Sequence, residues 1–268
     1  LFYTKNDETL RSYKIFRHII GTDSSEDVEV YHEKDETFHC FVYKSRSSKY
    51  IIFGSGATVS NEYSFIPADN PLVEPKVFQK RERNLEYSID HLKGSWYIRT
   101  NKDEAFNFKL MISNENQTSK ENWMEFIEHR DDVLLEGFDL FTHFLVVSER
   151  KLGITHLNIW TWDGSSKYID FGEDSYMAYT SINPDVDSDI LRLEYTSLTT
   201  PATTYDYDMK SGELTILKQQ EVVGGYEKNQ YISQRLYATA NDGAKVPISI
   251  VYNKKFKEFG PMPLLLYG

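Results

Sequence analysis

Hydrophobic and polar positions alternate in twos along most of this chain, in short runs separated by turn-forming residues. That is the pattern of half-buried β-strands rather than of helices. From Phe38 the runs are FHCFVYKS, KYIIFGSGA, NEYSFIPA and PKVFQKRE, with Gly54, Gly56 and Asn61 among the residues between them. The order returns as LEYSIDHL, SWYIRTN, NFKLMISN and WMEFIEHR, then as VLLEGFDLF, HFLVVSER, HLNIWTWD and SKYIDFG, and again as YMAYTSINP, ILRLEYTSL, TTYDYDM and ELTILKQ. The starts, at Phe38, Leu85, Val133 and Tyr176, lie 47, 48 and 43 residues apart. Four strands at that period predict β-propeller blades, small sheets that bury both faces against their neighbours.

Before Phe38, the runs LFYTKN, SYKIFRHI and VEVYHEK supply three strands, so the chain is expected to begin inside a blade, after its innermost strand. The only helical turn expected lies near Lys120 to Glu125. The fold class is therefore all-β, a partial propeller of about four and a half four-stranded blades, fewer than most propellers of this blade size need to close. A β-sandwich with longer loops is the alternative.

After Gly225 the period breaks. SQRLYATANDGAKVPISIVYNKK reads as two strands joined through Asn241-Asp242-Gly243, a hairpin signal that needs positive φ at its centre. A link with Gly and Pro, FGPMP, leads to PLLLYG, read as a buried third strand. A hairpin followed by an apolar strand is how many α/β enzymes begin. The expected division is 1–227 for the propeller and 228–268 for the first strands of a second domain.

These residues carry a resemblance. YISQRLYATANDGAKVPISIVYNKK and PLLLYG, with LEYTSLTTPATTYDYDM and GELTILKQQEV upstream, resemble the prolyl oligopeptidase family of serine peptidases, and within it the oligopeptidase B group. FRHIIGT, HEKDETF, EYSIDH, YIRTN, VLLEGFDLFTHFLVVSER and LNIWTW extend the match over essentially the whole chain. The resemblance implies the later blades of a seven-bladed propeller and the first strands of an α/β-hydrolase domain, with the active site at the interface over the propeller channel. It also implies a chain cut inside a YGYG-like strand end, of which Tyr267 and Gly268 are the first half, so that the oxyanion-donating Tyr follows Gly268. The family's catalytic Ser, Asp and His would likewise lie beyond this chain.

The charge narrows the partners. With 41 acidic against 30 basic side chains the net charge is −11, which argues against a nucleic-acid partner and suits cationic ligands. Short basic peptides are the substrates that the resemblance implies for the intact enzyme, cleaved after Lys or Arg. Aromatic residues make up 15%, with 19 Tyr and 16 Phe, in keeping with pleated, half-buried surfaces. The single cysteine, Cys40, lies in FHCFVY, where a small buried hydrophobe is the expected role, and a lone thiol favours a reducing, cytoplasmic compartment. No apolar run reaches the ~18 residues of a membrane span, and LFYTKNDETL has no signal-peptide character.

Candidate chemistry within the chain is thin. No stretch matches the G-x-S-x-G elbow that lifts a nucleophilic Ser above a hydrolase sheet; Gly54-Ser55-Gly56 and Gly94-Ser95 read as turns with positive φ at Gly. Seven histidines, His18, His32, His39, His91, His129, His143 and His156, are scattered with no evident nucleophile or orienting acid. DVDSDI at 185–190 opens like a calcium loop but has Ile190 where Gly belongs and Thr196 where the closing Glu belongs. HEKDE lacks the second His of a zinc motif. Asn116-Gln117-Thr118 is a glycosylation sequon by letters only. The acidic pairs Asp131-Asp132, Glu26-Asp27 and Glu173-Asp174 read as solvated turns, with attraction of cationic peptides as their functional reading. No catalytic, cofactor-binding or metal-binding residue is assigned. A stand-alone propeller acting as an interaction scaffold is the competing function, and it leaves residues 228–268 without a purpose. The expected fragment has no peptidase activity and self-associates through its unsatisfied ends.

Overall fold

The computed structural model describes residues 1–267 and places the β-runs as successive antiparallel meanders. The first sheet has three strands, β1 (Phe2–Asn6), β2 (Ser12–Arg17) and β3 (Val28–His32). The second is β4 (His39–Lys44), β5 (Tyr50–Gly56), β6 (Asn61–Pro67) and β7 (Lys76–Gln79). The third is β8 (Tyr87–Leu92), β9 (Ser95–Thr100), β10 (Lys109–Asn114) and β11 (Met124–Ile127). The fourth is β12 (Val133–Leu140), β13 (Phe144–Lys151), β14 (Ile154–Thr161) and β15 (Ser166–Tyr168). The fifth is β16 (Tyr176–Thr180), β17 (Ile190–Ser197), β18 (Thr203–Asp208) and β19 (Leu214–Gln219). A separate hairpin, β20 (Tyr231–Thr239) and β21 (Lys245–Asn253), follows. Within every sheet each strand pairs with its neighbour in sequence, as blades require.

The chain divides into two compact units, Leu1–Leu135 and Glu136 onward. In the first unit, successive residues of the central strands are buried together, Ile52 with Phe53 and Trp96 with Tyr97 and Ile98. Neighbouring side chains on a strand point to opposite faces, so these strands are covered on both sides. Phe53 packs with Ile15, Cys40 and Ile66 between the first and second sheets. Ile52 faces the other way, into a cluster with Phe65, Phe78, Tyr87, Trp96 and Ile98 between the second and third. In that cluster Trp96 touches Phe65 and Phe78 with ring centroids 5.0 and 5.1 Å apart. The second unit repeats the scheme, with Phe144, Val146, Leu157 and Ile159 of the fourth sheet against Ala178, Leu191, Leu193 and Tyr195 of the fifth. The apolar alternation is blurred in β5, β9 and β13 because both faces are dry.

Several local expectations meet their reasons here. The hairpin turns through Gly243 at φ +87°, closed by Ala240 and Ala244 in backbone contact. A 3-10 turn forms at Lys120–Asn122, but it is not the only one: others stand at Ser24–Glu26, Lys228–Gln230 and Lys254–Phe259. Cys40 is buried, and burial pushes its thiol up to about 11. Two readings need correction. Gly54-Ser55-Gly56 is not a turn but the end of β5, and neither glycine has positive φ. Gly54 is small because the Phe41 ring lies over it, 2.0 Å from where a Cβ would stand. PLLLYG is not a strand over Pro263–Tyr267: Leu264, Leu265, Leu266 and Tyr267 are exposed, and among the described residues no strand pairs with them. Gly268 lies outside the described residues. The sequence pattern signals burial, but a strand exists only where a neighbour takes up its backbone hydrogen bonds.

Candidate functional site

In an antiparallel meander of four strands, the second turn and the link to the next sheet emerge at the same end. Each unit carries a cleft beside a turn of one sheet and the link that leaves it. In the second unit a cleft of about 720 Å³ is lined by the β13–β14 turn, by the link from Tyr168 to Tyr176, and by Arg235 and Tyr237 of the hairpin. Asp170, Glu173 and Asp174 supply its carboxylates, while Tyr168, Tyr176 and His156 supply aromatic wall. The His156 Nδ1 lies 3.1 Å from the Tyr176 hydroxyl, and Tyr168 donates to Glu149 at 2.6 Å. Burial lowers the His156 pKa.

Glu173 is the most heavily bonded acid of this cleft. It accepts from Tyr195 at 2.9 Å, Thr199 at 2.8 Å, Thr200 at 2.9 Å and Lys228 Nζ at 2.7 Å. Burial alone would raise its pKa, but Lys228 and the hydroxyl donors hold it down at about 2. It thereby ties the chain entering the hairpin to the fifth sheet. Arg235 makes a second tie: Nη2 donates to the Leu152 carbonyl at 2.6 Å and Nη1 to Ser249 Oγ at 2.7 Å, and Ser175 donates to the same Ser249 oxygen at 2.6 Å.

The first unit's cleft, about 740 Å³, lies between the β1–β2 turn and the link after β3, and includes Asp7, Glu8, Glu33 and Glu36. Glu33 is 4% exposed and accepts from Arg81, Ser55, Tyr31 and the Asp35 N–H. Burial opposes ionisation, yet these donors hold its carboxyl at about 2. Arg81 covers the Phe38 ring at 3.9 Å. Ser55 is thus a hydrogen-bond donor to a buried carboxylate, not a free hydroxyl.

The structure gives several histidines the partners that sequence reasoning missed. His18 Nδ1 lies 2.7 Å from Asp27, which also accepts from Tyr3. His91 is fully buried, with Ser47 Oγ 2.8 Å from Nδ1 and Glu115 Oε1 3.2 Å from Nε2. His32 and His129 lie 3.6 and 3.7 Å from Glu29 and Asp131. His39 and His143 are exposed. Of the acidic pairs, Asp27 and Glu173 are network centres rather than solvated turns. In the 185–190 segment, Asp187 accepts from Thr142 and Asp189 from Lys210. Among the described residues no group of three or more His, Cys, Asp or Glu could hold a metal ion. No helix there is long and apolar enough to cross a membrane. The signals missed were Arg81, Lys228 and Arg235, cations whose acidic or carbonyl partners lie far away in sequence.

Residues 1–220 match the family described as "Prolyl oligopeptidase, N-terminal beta-propeller domain". The chain belongs to the prolyl oligopeptidase family. It is 43% identical over its full length to "Dipeptidyl aminopeptidase BI" of Pseudoxanthomonas mexicana, covering 37% of that protein. It is 32% identical to "Protease 2" of Moraxella lacunata, covering 38%. Among solved structures, oligopeptidase B from Leishmania major matches with a TM-score of 0.87 at 28% identity, over 98% of this chain and 38% of that one. Oligopeptidase B from Trypanosoma brucei matches at 0.86 and 32%, with the same coverage. The chain therefore spans well under half the length of these prolyl oligopeptidase relatives, and what it presents is the family's propeller fold.

Proposed function

We propose that this chain is the substrate-gating propeller part of a serine oligopeptidase that hydrolyses short peptides after Lys or Arg. Residues 1–227 form the propeller part and 228–268 the start of the hydrolase domain, whose later residues supply nucleophile, base and oxyanion donors. The observation that carries this reading is the run of four-stranded meanders matching the family's propeller, followed at once by a hairpin tied to the last sheet. Membership of a peptidase family and relatives named as a protease and an aminopeptidase support the reaction class. The acid-lined clefts and the net charge of −11 support cationic substrates. A buried, unreactive Cys40 suits a reducing, cytoplasmic setting.

The 268-residue chain by itself is catalytically inactive and self-associates through apolar residues that it leaves exposed, such as Leu236, Ile248 and Leu264 to Tyr267. The test compares this chain with the full-length protein, using Arg-amide and Lys-amide substrates and a serine-directed fluorophosphonate. Hydrolysis and labelling are expected for the full-length protein only. Labelled, active 268-residue chain, or a full-length protein that neither cleaves nor labels, overturns the reading.

A further inference from the structure

Tyr50 opens β5 just after the exposed Ser48 and Lys49, and its ring is half-buried where the second and third sheets meet. Both sheets belong to the first unit, so both walls of this joint are present. The ring lies 4.8 Å from that of Trp96 and 4.9 Å from that of His91, both fully buried. Its hydroxyl donates to Glu115 Oε1 at 2.9 Å. Lys49 and His91 stand against the same oxygen at 3.3 and 3.2 Å. The Tyr50 hydroxyl, first, and Lys49 hold the Glu115 carboxyl below its ordinary range, so the acceptor is ionised.

Hydroxyl and ring both favour one-electron chemistry. An oxidised tyrosine persists only once its phenolic proton has gone, so the partner of the hydroxyl decides how readily it forms. Tyr43 and Tyr87, in the same aromatic cluster, donate to the carbonyls of Ile89 and Gln79, which take up no proton. Tyr50 donates to a carboxylate, which does. Tyr3 and Tyr195 also donate to carboxylates, of Asp27 and Glu173, but the rings they meet are Phe16 for the first and Phe171, Tyr176 and Tyr205 for the second. Tyr50 meets an indole, and the indole continues a line of rings: Trp96 to Phe78 at 5.1 Å, Phe78 to Trp123 at 6.2 Å, Trp123 to Tyr87 at 5.4 Å. An electron vacancy on such a line comes to rest where a proton can also leave.

We propose that Tyr50 is an oxidative modification site, nitrated by the radical pair that peroxynitrite and carbon dioxide release, with Trp96 feeding the oxidation and Glu115 taking the proton. The carbonate radical anion removes one electron from Trp96 and becomes carbonate. Tyr50 returns an electron to Trp96 and passes its phenolic proton to Glu115 in the same step. Nitrogen dioxide, the second radical, then joins its nitrogen to a ring carbon ortho to the phenoxyl oxygen, and that carbon releases its proton as the ring regains aromaticity. The product, 3-nitrotyrosine, is a stronger acid than tyrosine. Its phenolate sets a second negative charge against Glu115 and loosens the joint between the two sheets. The chemistry does not require the peptidase reading.

The test treats the full-length protein with peroxynitrite in bicarbonate buffer and measures nitration of each tyrosine by peptide mass spectrometry. Tyr13 is the internal reference: it is half-buried like Tyr50, but Arg11 and Lys14 lie over its ring at 5.5 and 5.3 Å and oppose the loss of an electron. Nitration of Tyr50 is expected to exceed that of Tyr13 several-fold. Trp96→Phe and Glu115→Gln are each expected to lower it several-fold while leaving Tyr13 unchanged, since the Gln side chain still accepts the hydroxyl but takes no proton. Thermal melts establish that each variant is folded, and Glu115→Gln, at a partly exposed side chain, decides alone if Trp96→Phe does not fold. Equal nitration of Tyr50 and Tyr13, or nitration of Tyr50 unchanged in folded Glu115→Gln, overturns the proposal. The readout is a mass on one residue, so its failure is distinct from a failure of the peptidase reading, which the hydrolysis assay alone decides.

Discussion

Glu33 and Arg81, 48 residues apart in sequence, meet as a buried carboxylate and the guanidinium that covers it, with the Phe38 ring on the other face of the guanidinium. Arg81→Met keeps most of the packing over Phe38 but leaves Glu33 ionised and unpaired. Breaking a buried pair costs ~3–5 kcal/mol, and the partial exposure of Arg81 brings the expected loss toward about 2–3 kcal/mol. Adding Glu33→Gln should recover part of it. Urea midpoints of the two single variants and the double variant check this; independent, additive effects would contradict it.

The same carboxylate sets an acid limit. Its folded pKa of about 2 lies below its ordinary 4.5, so its stabilisation is complete above 4.5 and is lost as pH falls through about 2. Glu33→Gln is expected to flatten stability between those values. A denaturation series from pH 5 to pH 2 on both proteins measures it.

His91 acts in a higher window. Burial holds its pKa down at about 4 against an ordinary 6.5, outweighing the opposing pull of Glu115. The unfolded chain therefore binds the proton first, and stability falls as pH drops from 6.5 towards 4. His91→Gln should remove that slope while leaving the Glu33 window intact. A ring resonance of His91 that titrates near 6.5 in the folded protein would contradict this.

Gly54→Ala should cost about 1–3 kcal/mol, the usual penalty of overpacking, because its methyl would enter the Phe41 ring. Phe41→Leu in the same chain should return much of it, a coupling that a double-mutant cycle reads directly. The strand position, not turn geometry, is the reason.

For the full-length protein, kcat/KM for cationic peptides should fall with salt more steeply than for neutral ones. Attraction by the charge of −11 that these 268 residues carry is screened beyond a Debye length of roughly 8 Å at physiological ionic strength. Equal salt slopes would remove the electrostatic part of the proposed substrate preference.

The strands were legible because each one needs only its neighbours in sequence and a turn, and both leave local signals. Which acids are structural was not. Glu33 and Glu36 look alike in HEKDE, and only the arrival of Arg81 from the link after β7 singles one out. Glu173 and Asp174 are adjacent, yet one gathers Tyr195, Thr199, Thr200 and Lys228 while the other is exposed. Gly54 misled because a glycine demanded by a neighbouring ring carries the same letter as one demanded by a turn. Leu264 to Leu266 misled because an apolar run records a wish for burial, not the presence of a partner.

The pairing of strands in chain order within each sheet has a consequence during synthesis. At about 5–20 residues per second, a ribosome delivers one sheet of this size roughly every 2–10 seconds, far longer than a hairpin needs to form. Each meander can close as soon as its last strand leaves the exit tunnel, and it then waits only for the next to dry its exposed aromatic face. Growth of this molecule is thus a queue of short local tasks, in which a late error spoils one sheet and leaves those already made intact.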